Sequence, residues 1–219
     1  MKRTKAKRGS FGYIKNRKQH YLMKVVLLFL IALSIYLIGY YLNKRSNANV
    51  FTVIAMLFSL PGAKAIVAYI LFAPCKTIED NRYEHVYTVL TSNMDAPAAI
   101  DKVKADTILI ENGCNLLTDV VFTSPDKVMN LDFLVITDHK IFGLMGRKKQ
   151  ELAYIQKYLG DGVKQRRYDY DVKIMAEEDK FLSAIKSVGI GLKNTDLTKE
   201  SYLREREDLM DFLLSLVVK

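Results

Sequence analysis

The sequence predicts a two-helix transmembrane hairpin followed by a cytoplasmic α/β or α+β domain with a small, mixed sheet and helices packed on it. Three observations carry that expectation. Two long apolar segments lie in the first third of the 219 residues, the Lys and Arg are segregated around them, and the remainder alternates short β-rich runs with amphipathic helical ones. Half of the residues are hydrophobic, and glycine (11), proline (4) and cysteine (2) are scarce. That composition excludes a disordered chain, a collagen-like repeat and a disulfide scaffold.

The first apolar segment, Val25 to Leu42, reads VVLLFLIALSIYLIGYYL without a charge. As a helix it is roughly 27 Å long, close to the hydrocarbon thickness of a bilayer. Tyr21 lies before it and Tyr36, Tyr40 and Tyr41 towards its far end, where aromatic rings sit at headgroup depth. The apolar run exceeds that of a signal peptide, and NKRSNAN after it offers no small-x-small cleavage pattern, so an uncleaved anchor is expected. The second segment, Val50 to Ala73, carries Pro61, where a kink is expected, and Lys64. A re-entrant helical hairpin is the alternative to a second span. The organisation is then a basic cytoplasmic tail (1–20), a first transmembrane helix (21–43), a short outside loop (44–49), a second transmembrane helix (50–73) and a cytoplasmic domain (74–219).

Charge supplies the orientation. The formal net charge of +9 comes from the N-terminal end, where residues 1–48 hold eleven Lys or Arg and no acid. Residues 74–219 hold 21 basic residues and all 24 acids, a net of −3. A domain of that sign is a poor nucleic-acid binder by bulk charge. The positive-inside rule keeps the tail in the cytoplasm, and two spans return the large domain there, at the plasma membrane of a bacterium. Lys2, Arg3, Lys5, Lys7, Arg8, Lys15, Arg17 and Lys18 are the candidate contacts to anionic lipid of the inner leaflet, at about 1 kcal/mol each near the surface. Lys64 is the candidate intramembrane functional residue. A charge near a span's centre costs about 2.5–3.5 kcal/mol on insertion scales, and neither span contains an acid to pair with it. It either faces a partner, a lipid phosphate or an aqueous path, or it snorkels towards the interface.

In the domain, Thr77 caps an expected helix over 78–92, and Ala98–Lys104 forms one or two helical turns after Pro97. Thr107–Glu111 and Leu117–Thr123 read as strands. Phe133–Thr137 and Ile141–Met145 read as a hairpin about Asp138-His139-Lys140. Arg147 to about Tyr158 is a helix ended by Gly160-Asp161-Gly162, Asp171–Met175 a strand, and Glu177–Val188 a helix stopped by Gly189. The last helix starts near Thr198 and either packs on the domain or pairs with a second copy through Leu203, Met210 and Val217.

No phosphate loop, nucleophile elbow, zinc-binding HExxH or paired CxxC is present, so no catalytic residue, metal or cofactor is assigned. Cys75 and Cys114 are expected as free thiols in a reducing compartment. Asn130-Leu131-Asp132-Phe133-Leu134-Val135-Ile136, followed by the turn and Ile141-Phe142-Gly143-Leu144, resembles the hairpin of nuclease-related domains with the restriction-endonuclease-like fold. The resemblance implies an Asp before the first strand and a Glu-x-Lys on the second that hold Mg²⁺ and position water. Asp132 matches the first element, while Leu144-Met145-Gly146 carries no Glu-x-Lys. The expected function is a non-catalytic scaffold or regulatory subunit of a membrane complex, with a membrane-protein partner or a homo-oligomer. Its rivals are a membrane-anchored enzyme with a degenerate endonuclease-like core and a small channel or transporter subunit.

Overall fold

A computed structural model describes residues 7–43, 46, 49–91, 114–146, 150–191 and 200–218. The chain forms two compact units: Ile14–Cys75, and a domain in which the residues up to Tyr13 join Lys76 onward.

The first unit is a helical hairpin, α1 (Tyr13–Leu42) and α2 (Val50–Phe72). Both are long and apolar enough to cross a membrane, and little of either is buried within the protein. Helix α1 begins well before its apolar run, so the basic residues from Lys15 to Lys24 are its first turns. Helix α2 is one uninterrupted helix through Pro61, so it does not break into a re-entrant pair. Its less exposed positions, Phe51, Ala55, Phe58, Gly62, Ala65, Tyr69 and Phe72, recur at alternating spacings of four and three, the period of a helix-packing seam. The hairpin is closed at both ends. At its tip Gly39 faces Phe51 so closely that any side chain would clash, and Asn49 caps α2 by accepting from the Thr52 N–H at 2.9 Å. At its base Tyr21 stacks on Phe72, and Lys18 Nζ donates to the carbonyls of Ala73 and Cys75, where the end of a helix leaves carbonyls unpaired.

The second unit contains α3 (Asp80–Thr91), β1 (Asn115–Thr123), β2 (Val128–Thr137), β3 (Lys140–Met145), α4 (Leu152–Gln165), β4 (Asp171–Met175), α5 (Glu178–Gly191) and α6 (Glu200–Leu216). The sheet order is β1-β2-β3-β4, antiparallel except for the parallel pair β3–β4, as a strand–helix–strand connection through α4 requires. This is the mixed sheet with helices that the sequence predicts. Along β2 nearly every residue is buried, because both sheet faces are covered. Leu116, Phe133, Val135, Phe142, Leu144 and Met175 share a core with Val86 and Leu90 of α3 and Phe181 and Ile185 of α5. On the other face lie α4, through Ile155, Leu159 and Val163, and α6, through Leu209, Phe212 and Leu213.

Several boundaries differ from those expected. Strand β2 begins at Val128, five residues before its β-branched run, because Val128 to Asn130 pair with β1 on a ladder that propensity does not reveal. Helix α4 runs through Gly160 and Gly162 to Gln165. A Cβ on Gly162 would lie 3.2 Å from the Phe212 ring, a tight approach. Helix α5 likewise continues past Gly189. The expected strand Thr107–Glu111, the turns at Ala98–Lys104, the start of a helix at Arg147 and a cap at Thr198 lie outside the described residues. Helix α6 packs on its own domain, with Leu209, Leu213 and Val217 buried.

Both ends of the chain close the free edge of β1. Thr118 N–H donates to the Gly9 carbonyl at 2.9 Å, and Val218 N–H to the Val121 carbonyl at 2.9 Å. Tyr13 Oη then donates to Val218 O at 2.7 Å, Arg8 Nη1 to Leu214 O at 3.3 Å, and Phe11 packs on Tyr83. Gly9 has φ +71, and a Cβ on it would lie 2.7 Å from a Leu117 methyl. Gly12, at φ +80, has open space around it. Gly9→Ala is therefore expected to cost about 2–4 kcal/mol, from the left-handed backbone and the clash together. Gly12→Ala should show only the backbone part, about 1–2 kcal/mol. Equal melting temperatures for the two variants in detergent would contradict the docking of this segment.

Candidate functional site

The polar cluster nearest to chemistry forms around Asp132. Between Leu131 and Phe133 the β2–β3 register shifts by one residue, and Asp132 is the extra residue of that bulge, a device that re-aims a side chain. Its Oδ2 accepts from Arg82 Nη1 at 2.8 Å. Arg82, on α3, also donates through Nε to Glu178 Oε2 at 3.1 Å, and its guanidinium lies 5.9 Å from the Phe133 ring centroid. One guanidinium thus joins a strand, the first turn of α5 and α3, with two carboxylates sharing its charge. Burial pushes the Asp132 carboxyl up, Arg82 opposes this, and the nearby Glu178 charge adds to the rise. For Arg82, desolvation lowers the pKa, but the bonds to Asp132 and Glu178 outweigh it and the net shift is upward.

Beside it, Asn130 is fully buried. Its backbone N–H donates to Gln150 Oε1 and its carbonyl accepts from Gln150 Nε2 at 2.8 Å and from Gly146 N–H at 3.0 Å. The side-chain oxygen of Asn130 is buried with no hydrogen-bond partner among the described residues. A side chain at 146 would collide with the Asn130 and Asp132 oxygens, so glycine is the residue this corner admits.

The donors for a Mg²⁺ site are not assembled here. The resemblance implies an acid and a lysine on the second strand, whereas β3 presents Ile141, Phe142, Gly143, Leu144 and Met145. The Asp132 carboxylate is engaged by a guanidinium, which repels a divalent cation. Among the described residues no cluster of three or more His, Cys, Asp or Glu could hold a metal ion. Asp132 lies inside β2, not before it, because the strand starts four residues earlier.

The other candidates separate. Lys64 is exposed on α2, away from the seam. Lys2, Arg3 and Lys5 lie outside the described residues. Lys7 and Lys15 are exposed and Arg17 half-buried, whereas Arg8 and Lys18 are committed to the carbonyls named above. His139 sits in the hairpin turn at φ +51. Its Nδ1 is 2.7 Å from the Asp169 carbonyl, which raises its pKa; this ties the turn to the start of β4. A groove of about 510 Å³ runs between α4 and β4, lined by residues that include Gln156, Lys157, Asp161, Lys164 and Asp171. Its lining residues include no His, Cys, Ser or Thr.

Sequence reading overlooked Asp119 and Arg82. Asp119 is buried within β1 at φ +53, a conformation that Asp tolerates better than most residues. Its Oδ1 accepts from the Ile78 N–H at 3.1 Å, holding the entry to α3. Acids inside a β-rich run are the one signal that marks Asp119 and Asp132 alike.

No protein-family model, curated protein or solved structure matches this chain.

Two outcomes test the site. Arg82→Met leaves the Asp132 charge buried without its partner, at a cost of about 2–3 kcal/mol near neutral pH. Loss of Arg82 removes the influence that lowers the Asp132 pKa, so the native carboxyl titrates even further above its unfolded value. The penalty is full above that raised pKa and shrinks as pH falls through it. Urea unfolding of both proteins at several pH values should show the gap narrowing on acidification; a constant gap would argue against the pair. Cys75 and Cys114 are free and buried, and burial pushes the Cys114 thiol up to about 11. Both should react with a maleimide at pH 7.5 at least a hundredfold slower in the native protein than in urea.

Proposed function

We propose that this chain is an integral membrane protein whose hairpin anchors an α/β domain to the cytoplasmic face of a bacterial plasma membrane. There the domain works as a non-catalytic scaffold or regulatory subunit of a membrane complex. The observation that carries the reading is the path of the chain. The hairpin Ile14–Cys75 leaves from and returns to a single domain, and its two helices expose leucine, valine and phenylalanine along their lengths. Exposed apolar surface on that scale is unfavourable in water by about 25 cal/mol per Å² and favourable in lipid.

Because residues on both sides of the hairpin hydrogen-bond to the same strand, two crossings place both chain ends on one side of the bilayer. The basic flank before α1 favours the cytoplasmic side. Exposed Lys7 is the described basic residue of this flank that supports contact with anionic headgroups, while Arg8 and Lys18 serve the fold. The bonding of Asp132 to Arg82 rather than to a metal-ready neighbour supports a structural role for the domain.

Expression of the full chain with a tag at each end tests this. Carbonate-washed membranes should retain the protein. In intact spheroplasts both tags should resist protease, and both should be cut after detergent. Release by carbonate, or one tag digested while the other survives, would sink the proposal.

A further inference from the structure

On the premise that the hairpin spans the bilayer, we propose that the outer face of α2 is a docking surface for a partner's transmembrane helix that carries an Asp or Glu, paired with Lys64 inside the membrane. The direction of Lys64 is the ground for this. The seam positions Phe51, Phe58, Ala65 and Phe72 lie on one side of α2, with Gly39 against Phe51 and Tyr21 against Phe72. Val53, Leu57, Leu60, Lys64 and Val67 lie on the opposite side, and the apolar members are 58–67% exposed. At 100° per residue these five span one stripe of the helix.

An ammonium in that stripe has no carboxylate of its own hairpin to pair with, since neither span contains one. It is eight residues from Phe72 and fourteen from Val50, roughly 12 Å and 21 Å along the axis, farther than a four-carbon stem reaches. Left in hydrocarbon the charge is costly; a carboxylate at the same depth on an adjacent helix removes that cost and supplies partner selectivity. The same absence of acids excludes pairing between the spans of two copies. The neighbours are suited to close packing: Leu57, Leu60 and Val67 provide a ridge on either side of the cation.

The test places a photoreactive benzoylphenylalanine at Val67 of the full chain, in the membranes of the source cells. Illumination should give one discrete protein adduct, whose cross-linked peptide maps to an apolar segment containing Asp or Glu. Lys64→Leu should reduce the adduct about tenfold and Lys64→Arg should retain it. Replacing the mapped acid by its amide should give the same loss, with no further loss in the double variant. Lipid adducts alone, adducts to another copy of this chain, or a yield indifferent to Lys64→Leu would overturn the inference and leave the anchoring intact. Extraction of the unilluminated protein by carbonate would overturn both.

Discussion

Everything in this molecule depends on the closure of one sheet edge by both ends of the chain. Among the described strands, β1 lies at the edge of the sheet, with β2 as its one neighbour. Two of its backbone groups are satisfied from opposite directions, the Thr118 N–H by the Gly9 carbonyl and the Val121 carbonyl by the Val218 N–H. An open edge invites pairing with other chains. Here it is used to hold together two segments separated by more than two hundred residues, which Tyr13 and Val218 then link directly. The consequence is topological: the apolar hairpin becomes an insertion in the domain rather than a leader attached in front of it.

That constraint gives meaning to the basic N-terminal region. Its charges are a feature of the sequence in bulk, but individually they divide. Arg8 reaches the Leu214 carbonyl, Lys18 completes the C-terminal end of α2, and Lys7 and Lys15 point outward. The two glycines of the region, Gly9 and Gly12, turn the chain into α1 through left-handed backbone that other residues adopt at a cost. A segment that reads as a solvated tail is therefore part of a core, because its carbonyls and rings, and not only its charges, make contacts.

The domain's polar interior follows a similar economy. The bulge at Asp132 turns a carboxylate towards Arg82, and Arg82 in turn receives Glu178 at the first turn of α5. Three elements are locked by a single guanidinium, whose planar fork suits several carboxylate contacts at once. Among the described residues, no cluster of three or more His, Cys, Asp or Glu could hold a metal ion. The apparent likeness to a nuclease hairpin therefore rests on apolar alternation and one aspartate whose partner is an arginine.

Much of this fold was legible in the sequence because it follows local periodicity. The charge-free run from Val25 to Leu42, the apolar runs Phe133–Thr137 and Ile141–Met145, and the isolated strand Asp171–Met175 each state their own structure. Boundaries failed where long-range contacts overrode propensity: α4 continues through Gly160 and Gly162, the latter against Phe212, and Val128 to Asn130 are strand because β1 is opposite. The Arg82 cluster was not legible, since its members lie at positions 82, 132 and 178 and only folding brings them together. By itself the sequence determined two segments long and apolar enough to cross a membrane and the asymmetry of Lys and Arg around them, because both are properties of contiguous residues. Only the tertiary structure decided that both ends of the chain belong to one domain and that Lys64 points away from its own hairpin. Hydrogen bonds between distant backbones and the phase of a packed helix seam have no contiguous signature.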